Sequence, residues 1–153
     1  MRVVESWVEA PLAEFLRESS ARLVLVMTSA GQVVAQHGFS RTLDVMSAAA
    51  LGAGIMASTS ELARTMGQGS LGPVAHQGRT QGVFLAPFQM PRGNWIALVV
   101  YGRETTVGLV QLFVMRLADQ LRAAVPAAAP TAPLLAERFE DELNASLRTL
   151  FGR

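Results

Sequence analysis

The sequence predicts an α/β protein, in the form of an α+β sandwich with a five-stranded antiparallel sheet between helices. Five short apolar runs are separated by turn residues, a pattern typical of strands. Strands joined by tight turns pair antiparallel. Longer segments with apolar residues at helical spacing lie between them, and such helices cover the faces of a sheet. Half of the residues are hydrophobic and 16% are charged, so a core is available.

The first part of the chain predicts a helix followed by a β-hairpin. Residues 5–20 carry apolar side chains near helical spacing, and Pro11 suits a helix that starts at or just before it. The apolar run 22–28 reads as a strand, 29–32 as a turn and 33–37 as the returning strand.

The middle of the chain predicts one long helix and three strands. The helix is expected from Thr42 to Met66, where Gly67 and Gly69 end it. Strands are expected at 71–78, 82–88 and 94–102. The last of these is apolar on both faces, so we expect it at the centre of the sheet.

The C-terminal part predicts a helix at 105–124, a Pro/Ala linker at 125–133 and an amphipathic helix at 134–153. Thr105 or Thr106 can cap the first helix. The expected division is therefore a domain at 1–124, the linker, and the terminal helix. The expected apolar stripe of the first helix is Val110, Phe113, Leu117 and Leu121, and that of the terminal helix is Leu135, Phe139, Leu143, Leu147 and Leu150.

Composition excludes several classes of function. The net charge is +1 and the arginines are scattered, so no basic stripe for nucleic acid is visible. The chain has no cysteine and no lysine, which removes disulfides, thiolate sites and Schiff-base chemistry. The N-terminus has early acids and lacks the pattern of a secretory signal. We expect a cytoplasmic protein.

Two features of the sequence could suggest a cofactor or a metal, but neither has the surroundings that such a site needs. GQGSLG at 67–72 matches a dinucleotide-binding pattern, but it follows a helix and precedes a strand, the reverse of that fold. We interpret it as a helix-stop turn. His37 and His76 lack acids at metal-ligand spacing. Spacing alone does not exclude a Ser/His/Asp site, although no G-x-S-x-G elbow is present. No catalytic residue is predicted, and a binding or assembly module is favoured over an enzyme.

The run Val45–Ser60 carries no charge and is rich in Ala, Gly and Ser. It could be a membrane span, a phosphate loop or a helix covered on more than one side. It is shorter than the roughly 20 apolar residues that a span takes, and its glycines lack the context of a phosphate loop. The third interpretation is therefore favoured, and no membrane span is predicted.

Two stripes follow from helical spacing over this run. The bulky stripe is expected to pack on the sheet, and the small stripe is expected to face outward, where small side chains let another backbone approach. Burial of both within one chain is the alternative. The bulky stripe is Leu51, Ile55, Leu62 and Met66, and the small stripe is Met46, Ala50, Ala53, Ala57, Ser60 and Arg64.

The order of elements and the local patterns resemble the Roadblock/dynein light chain 7 family over roughly residues 5–124. SARLVLVMTSAGQVVAQHG resembles that family's first two strands, and NWIALVVYGRETTVGLVQLFVMRLADQLRAA resembles its last strand and following helix. The small-residue helix lies where the family has its long central helix. The terminal helix after a Pro-rich linker is similar to the bacterial MglB-like branch, whose members partner the Ras-like GTPase MglA in cell polarity.

The resemblance implies a homodimer with its central helices side by side and its third strands paired. It also implies a regulator that promotes GTP hydrolysis by remodelling a small Ras-like GTPase without supplying an arginine finger. The implied GTPase face is Met46, Ala50, Ala53, Gly54 and Ala57, where a large charged side chain is expected to clash. The implied dimer interface is Ser47, Ser58, Glu61, Leu71, Val74 and His76. The implied tail contacts are Phe139, Leu143, Leu147 and Leu150.

Two other classes of function stay open. A scaffold or adaptor would bind the GTPase or another protein without changing its turnover. A small-molecule sensor would need a closed pocket, and few polar residues are candidates to line one. The terminal helix has two alternatives of its own, since it can fold back on its own dimer or reach the GTPase.

Overall fold

A computed structural model describes residues 6–39, 43–126 and 143–150. A 3-10 turn at Ser6–Val8 leads into the first helix. The helices are α1 (Glu9–Ser19), α2 (Val45–Thr65) and α3 (Val107–Ala124), and residues 143–150 form a short C-terminal helix. The strands are β1 (Leu23–Thr28), β2 (Val33–Gly38), β3 (Val74–Gln77), β4 (Gln81–Met90) and β5 (Gly93–Gly102).

The five strands form one antiparallel sheet in the order β2-β1-β5-β4-β3. This confirms the predicted class and places β5 at the centre, as its apolar sequence predicts. β4 and β5 pair along their whole length, whereas β3 pairs only with Gly82 to Leu85 of β4. Within the described residues β3 is therefore an edge strand.

Successive side chains of a strand point to opposite faces of the sheet, so the buried residues form two cores, one on each face. On one face, Val24, Val99 and Tyr101 pack with α1 and α3. On the other face, Leu25, Leu98 and their neighbours pack with α2. The predicted stripe of α3 is confirmed, since Val110, Leu117 and Leu121 are buried and Phe113 packs at the margin of this core.

The GQGSLG segment follows the C-terminal end of α2, as the sequence predicts. The N–H of Gln68 donates to the carbonyl of Ala63 at 2.8 Å, and Gly67 has a φ of +72°, a conformation that glycine adopts without strain. The chain then enters β3. The segment therefore satisfies the last carbonyls of a helix and does not open one.

The C-terminal region is described only in part. Residues 143–150 are helical, within the predicted 134–153. The segment 127–133 of the predicted linker and the predicted contact Phe139 lie outside the described residues. Leu143, Leu147 and Leu150 are exposed.

Candidate interaction surface

The surface that the sequence singles out is the length of α2, which begins with a side-chain cap. The Asp44 carboxylate accepts from the N–H of Met46 at 3.3 Å and from the hydroxyl of Ser47 at 2.6 Å. The bond from Ser47 is the main reason that the pKa of Asp44 lies below its usual value. Asp44 thereby satisfies donors that the first turn leaves without partners in the helix.

The face of α2 that packs on the sheet is built from small residues. Ala49 and Ala53 are buried, and a Cβ added to Gly52 would lie 3.2 Å from Leu98 Cδ1 and 3.3 Å from Leu85 Cδ2. The backbone of α2 therefore runs close to the sheet. The large side chains of this core come mainly from β1, β4 and β5, and Met56 is the largest buried contribution from α2.

This arrangement overturns the predicted orientation of the bulky stripe. Leu51 is 69% exposed and Leu62 is 54% exposed, and Ile55 and Met66 are exposed as well. The expectation that these side chains pack on the sheet is wrong, because the sheet already fills that space with leucines. The bulky stripe instead faces outward, on the flank of α2 that is directed toward β3.

The outward bulky stripe and the edge strand enclose a shallow groove of about 630 Å³. We call it the α2 groove. It joins two elements that are distant in sequence, since Val74 and His76 of β3 face the side chains of α2. The α2 groove is lined by Ala50, Leu51, Gly54, Ile55, Ser58, Thr59, Leu62, Val74 and His76.

A second outward flank of α2 carries mostly small side chains. Met46, Ala50, Gly54 and Ala57 are exposed there, and nothing lies within 4 Å of a Cβ added to Gly54. We call these four residues the small face. Ala53 does not belong to it, contrary to expectation, because Ala53 is only 8% exposed and faces the turn at Gly31.

Of the six residues that the resemblance implies for a dimer interface, three lie together and three lie elsewhere. Ser58, Val74 and His76 meet in the α2 groove. Ser47 instead bonds to the Asp44 cap, and Glu61 pairs with Arg64 at 2.7 Å. Leu71 lies apart from the α2 groove and lines two other depressions, between β4 and α3 and at the end of α2.

A second apolar surface lies on α3 and was not predicted. Leu109, Leu112 and Met115 are exposed, in addition to the buried stripe of the same helix. The signal is present in the sequence, because the run 107–115 is apolar at nearly every position and one buried stripe uses only part of it. The two leucines and Met115 mark α3 as a helix with apolar residues beyond its core face.

Within the described ranges, no group of three His, Asp or Glu side chains could hold a metal ion. One described helix, α2, is long and apolar enough to cross a bilayer by length and composition alone. Core helices of soluble domains have the same properties, and the inner face of α2 packs on its own sheet.

These features define the class. The chain is a helix–sheet–helix domain whose central helix presents apolar flanks beside β3, an edge strand of the described sheet. A family model for the Roadblock/LC7 domain matches residues 8–101, more than half of the chain, and the protein belongs to this family. A search of curated protein sequences gave no match.

Several solved structures are similar in fold. MglB from Myxococcus xanthus has a TM-score of 0.69 and 22% identity, over 78% of this chain and 95% of that one. The gliding protein MglB from Thermus thermophilus has a TM-score of 0.67 and 24% identity, over 80% and 93%. A structure described as MglB with a tetrameric arrangement has a TM-score of 0.68 and 24% identity, over 80% and 92%.

Proposed function

We propose that this protein is a homodimeric regulator of a small Ras-like GTPase of the MglA type, acting in the cytoplasm in cell polarity or motility. It would activate or co-activate GTP hydrolysis without a catalytic site of its own. Membership of the Roadblock/LC7 family and the likeness in fold to MglB support the proposal. The observation that carries it is the outward surface of α2, where the α2 groove lies beside the small face.

Self-association is proposed through the α2 groove. Leu51, Ile55 and Leu62 form an exposed apolar ridge, and the outer edge of β3 beside it pairs with no other described strand. An exposed edge strand is a template for another strand, and a two-fold axis places the same patch on both copies. A second copy would cover the ridge and extend the sheet at once.

The GTPase is proposed to bind the small face from the side of Met46 and Ala57, which do not line the α2 groove. Ala50 and Gly54 lie at the margin between the two surfaces. Ala50, Gly54 and Ala57 present little more than backbone, so a partner can approach the helix closely. Arg64 lies on the same flank, where it pairs with Glu61. We propose that the regulator acts by shaping the GTPase, with the hydrolytic chemistry staying in the partner.

Replacing Ala57 by arginine is expected to weaken GTPase binding at least about tenfold, the equivalent of about 1.4 kcal/mol. The new side chain would stand between the small face and the partner. Binding is measured by titration calorimetry with a small GTPase encoded beside this gene, and GTP hydrolysis is measured in the same samples.

Ala123→Arg is the matched control, because Ala123 is exposed on α3, on the opposite side of the sheet. We expect it to bind as the native protein does. An equal loss of GTPase affinity in both variants would argue against the small face as the binding site. The absence of any complex with such a GTPase would refute the proposed function. Ala53→Arg is unsuitable as a probe, because Ala53 is buried and the change would disturb the packing of α2.

The second candidate is an adaptor that binds the GTPase without altering its turnover. It is favoured by the four residues of the small face, Met46, Ala50, Gly54 and Ala57, whose side chains carry no charged or hydroxyl group. The same assay separates the two candidates. A complex with an unchanged rate of hydrolysis identifies the adaptor, and an increased rate identifies the activator.

A further inference from the structure

A second groove lies on the face of the sheet opposite α2. We call it the α3 groove. Its floor is β4, one wall is the flank of α3, and the other wall is formed by residues 70–73. Its volume is about 380 Å³ and its lining is mostly apolar. The side chains that carry the argument are Phe84, Ala86 and Phe88 of the floor, and Val114, Met115 and Ala118 of the wall.

The α3 groove exists because two helices do not cover five strands. A helix is about 10 Å wide and strands are about 4.8 Å apart, so one helix covers about two strands. α1 packs on β1 and β2, and α3 packs on β4 and β5. Ala75 and Gln77 of β3 remain exposed. One more helix placed beside α3 would complete the layer.

The chain itself supplies a helix of this kind. In the C-terminal helix 143–150, Leu143, Leu147 and Leu150 share one face by their i, i+4 and i+7 spacing, and all three are exposed. An exposed apolar stripe of this kind is expected to pack against another apolar surface.

The position of this helix in the chain favours the α3 groove as its site. α3 ends at Ala124, and Met115 lies nine residues earlier, about 14 Å along the helix axis. Residues 125–142 separate the two helices, and these eighteen residues reach at most about 60 Å. The connection is therefore long enough for a return along α3. It is also short enough for an effective concentration in the millimolar range, which a second copy in dilute solution does not match.

We propose that helix 143–150 docks in the α3 groove of its own chain, with Leu143 and Leu147 directed at the floor formed by β4. The docked helix would cover apolar surface on the side of the sheet opposite α2. The α2 groove and the small face would remain accessible, so this contact is independent of the proposed dimer and of the GTPase.

Disulfide trapping tests the proposal, because the native chain has no cysteine. In the full chain, Met115→Cys is combined with Leu147→Cys. A disulfide requires the two Cα atoms to approach within about 7 Å. We expect rapid oxidation within one chain, at a rate independent of protein concentration and at least about tenfold faster than in the control.

The matched control combines Leu109→Cys with Leu147→Cys. Leu109 is exposed on the same helix but lies outside the α3 groove. Adding Leu143→Glu to the Met115→Cys, Leu147→Cys pair is expected to abolish the difference, while cooperative thermal unfolding shows that the domain is still folded. Equal oxidation rates in the two pairs would overturn the proposal, and so would a crosslinked species of twice the mass. No GTPase takes part, so failure here is distinct from failure of the proposed function.

Discussion

Replacing Leu62 by glutamate is expected to convert the proposed dimer into a monomer. Leu62 belongs to the exposed ridge of α2 and lines the α2 groove. Burying one leucine contributes about 1.5–3 kcal/mol. A two-fold interface contains the residue twice, so the loss is about 3–6 kcal/mol, equivalent to a dissociation constant raised about 10²–10⁴-fold. Analytical ultracentrifugation over a range of concentrations measures the change.

Leu112→Glu is the matched control, because Leu112 is 54% exposed, the same fraction as Leu62. Leu112 lies on α3, on the other side of the sheet, so its replacement is expected to leave self-association unchanged. If Leu112→Glu dissociates the protein and Leu62→Glu does not, the interface lies on α3 and the proposed α2 interface is wrong.

The second large effect is expected at Gly52, where leucine should destabilise the domain. A Cβ at this position already lies 3.2 Å from Leu98 and 3.3 Å from Leu85, and the rest of a leucine side chain would have to enter the filled core. Overpacking of this kind costs about 1–3 kcal/mol and occasionally more. We expect a loss of about 3 kcal/mol, a large share of the roughly 5–15 kcal/mol that stabilises a typical domain. Urea unfolding at fixed protein concentration measures it.

Gly54→Leu places the same side chain two residues further along α2, where nothing lies within 4 Å. It is expected to raise the free energy of unfolding slightly, by about 0.8 kcal/mol, because leucine favours a helix over glycine. If both variants lose equal stability, α2 does not approach the sheet at Gly52. Gly54 belongs to the small face and also lines the α2 groove, so the effects of Gly54→Leu on partner binding and on self-association are measured separately.

The elements were predictable because their signals are local. β5 carries an unbroken apolar run and lies at the centre of the sheet, and Thr106 caps α3 as expected, its hydroxyl accepting from the N–H of Leu109. The helix-stop role of Gly67 also follows from its immediate neighbours. Each of these features depends on residues close together in the chain, so the amino-acid order is sufficient.

The candidate site was predictable only in part. The sequence identifies α2 as a helix that is apolar on more than one side, and Ser58, Val74 and His76 meet in its groove. The neighbours of Leu71 and the burial of Ala53 depend on how distant elements pack, and the α3 groove depends on the number of strands that two helices leave uncovered.

The sequence by itself therefore determined the fold class, the order of the elements and the presence of two apolar stripes on α2. Only the tertiary structure decided which side of α2 is buried, and that side is neither of the two predicted stripes. Helical periodicity defines both stripes equally well and does not rank them. The choice depends on the space above the sheet, where Leu85 and Leu98 leave room for little more than the backbone at Gly52. The helix therefore turns Ala49, Gly52 and Ala53 inward, and the rest of both predicted stripes remains outside.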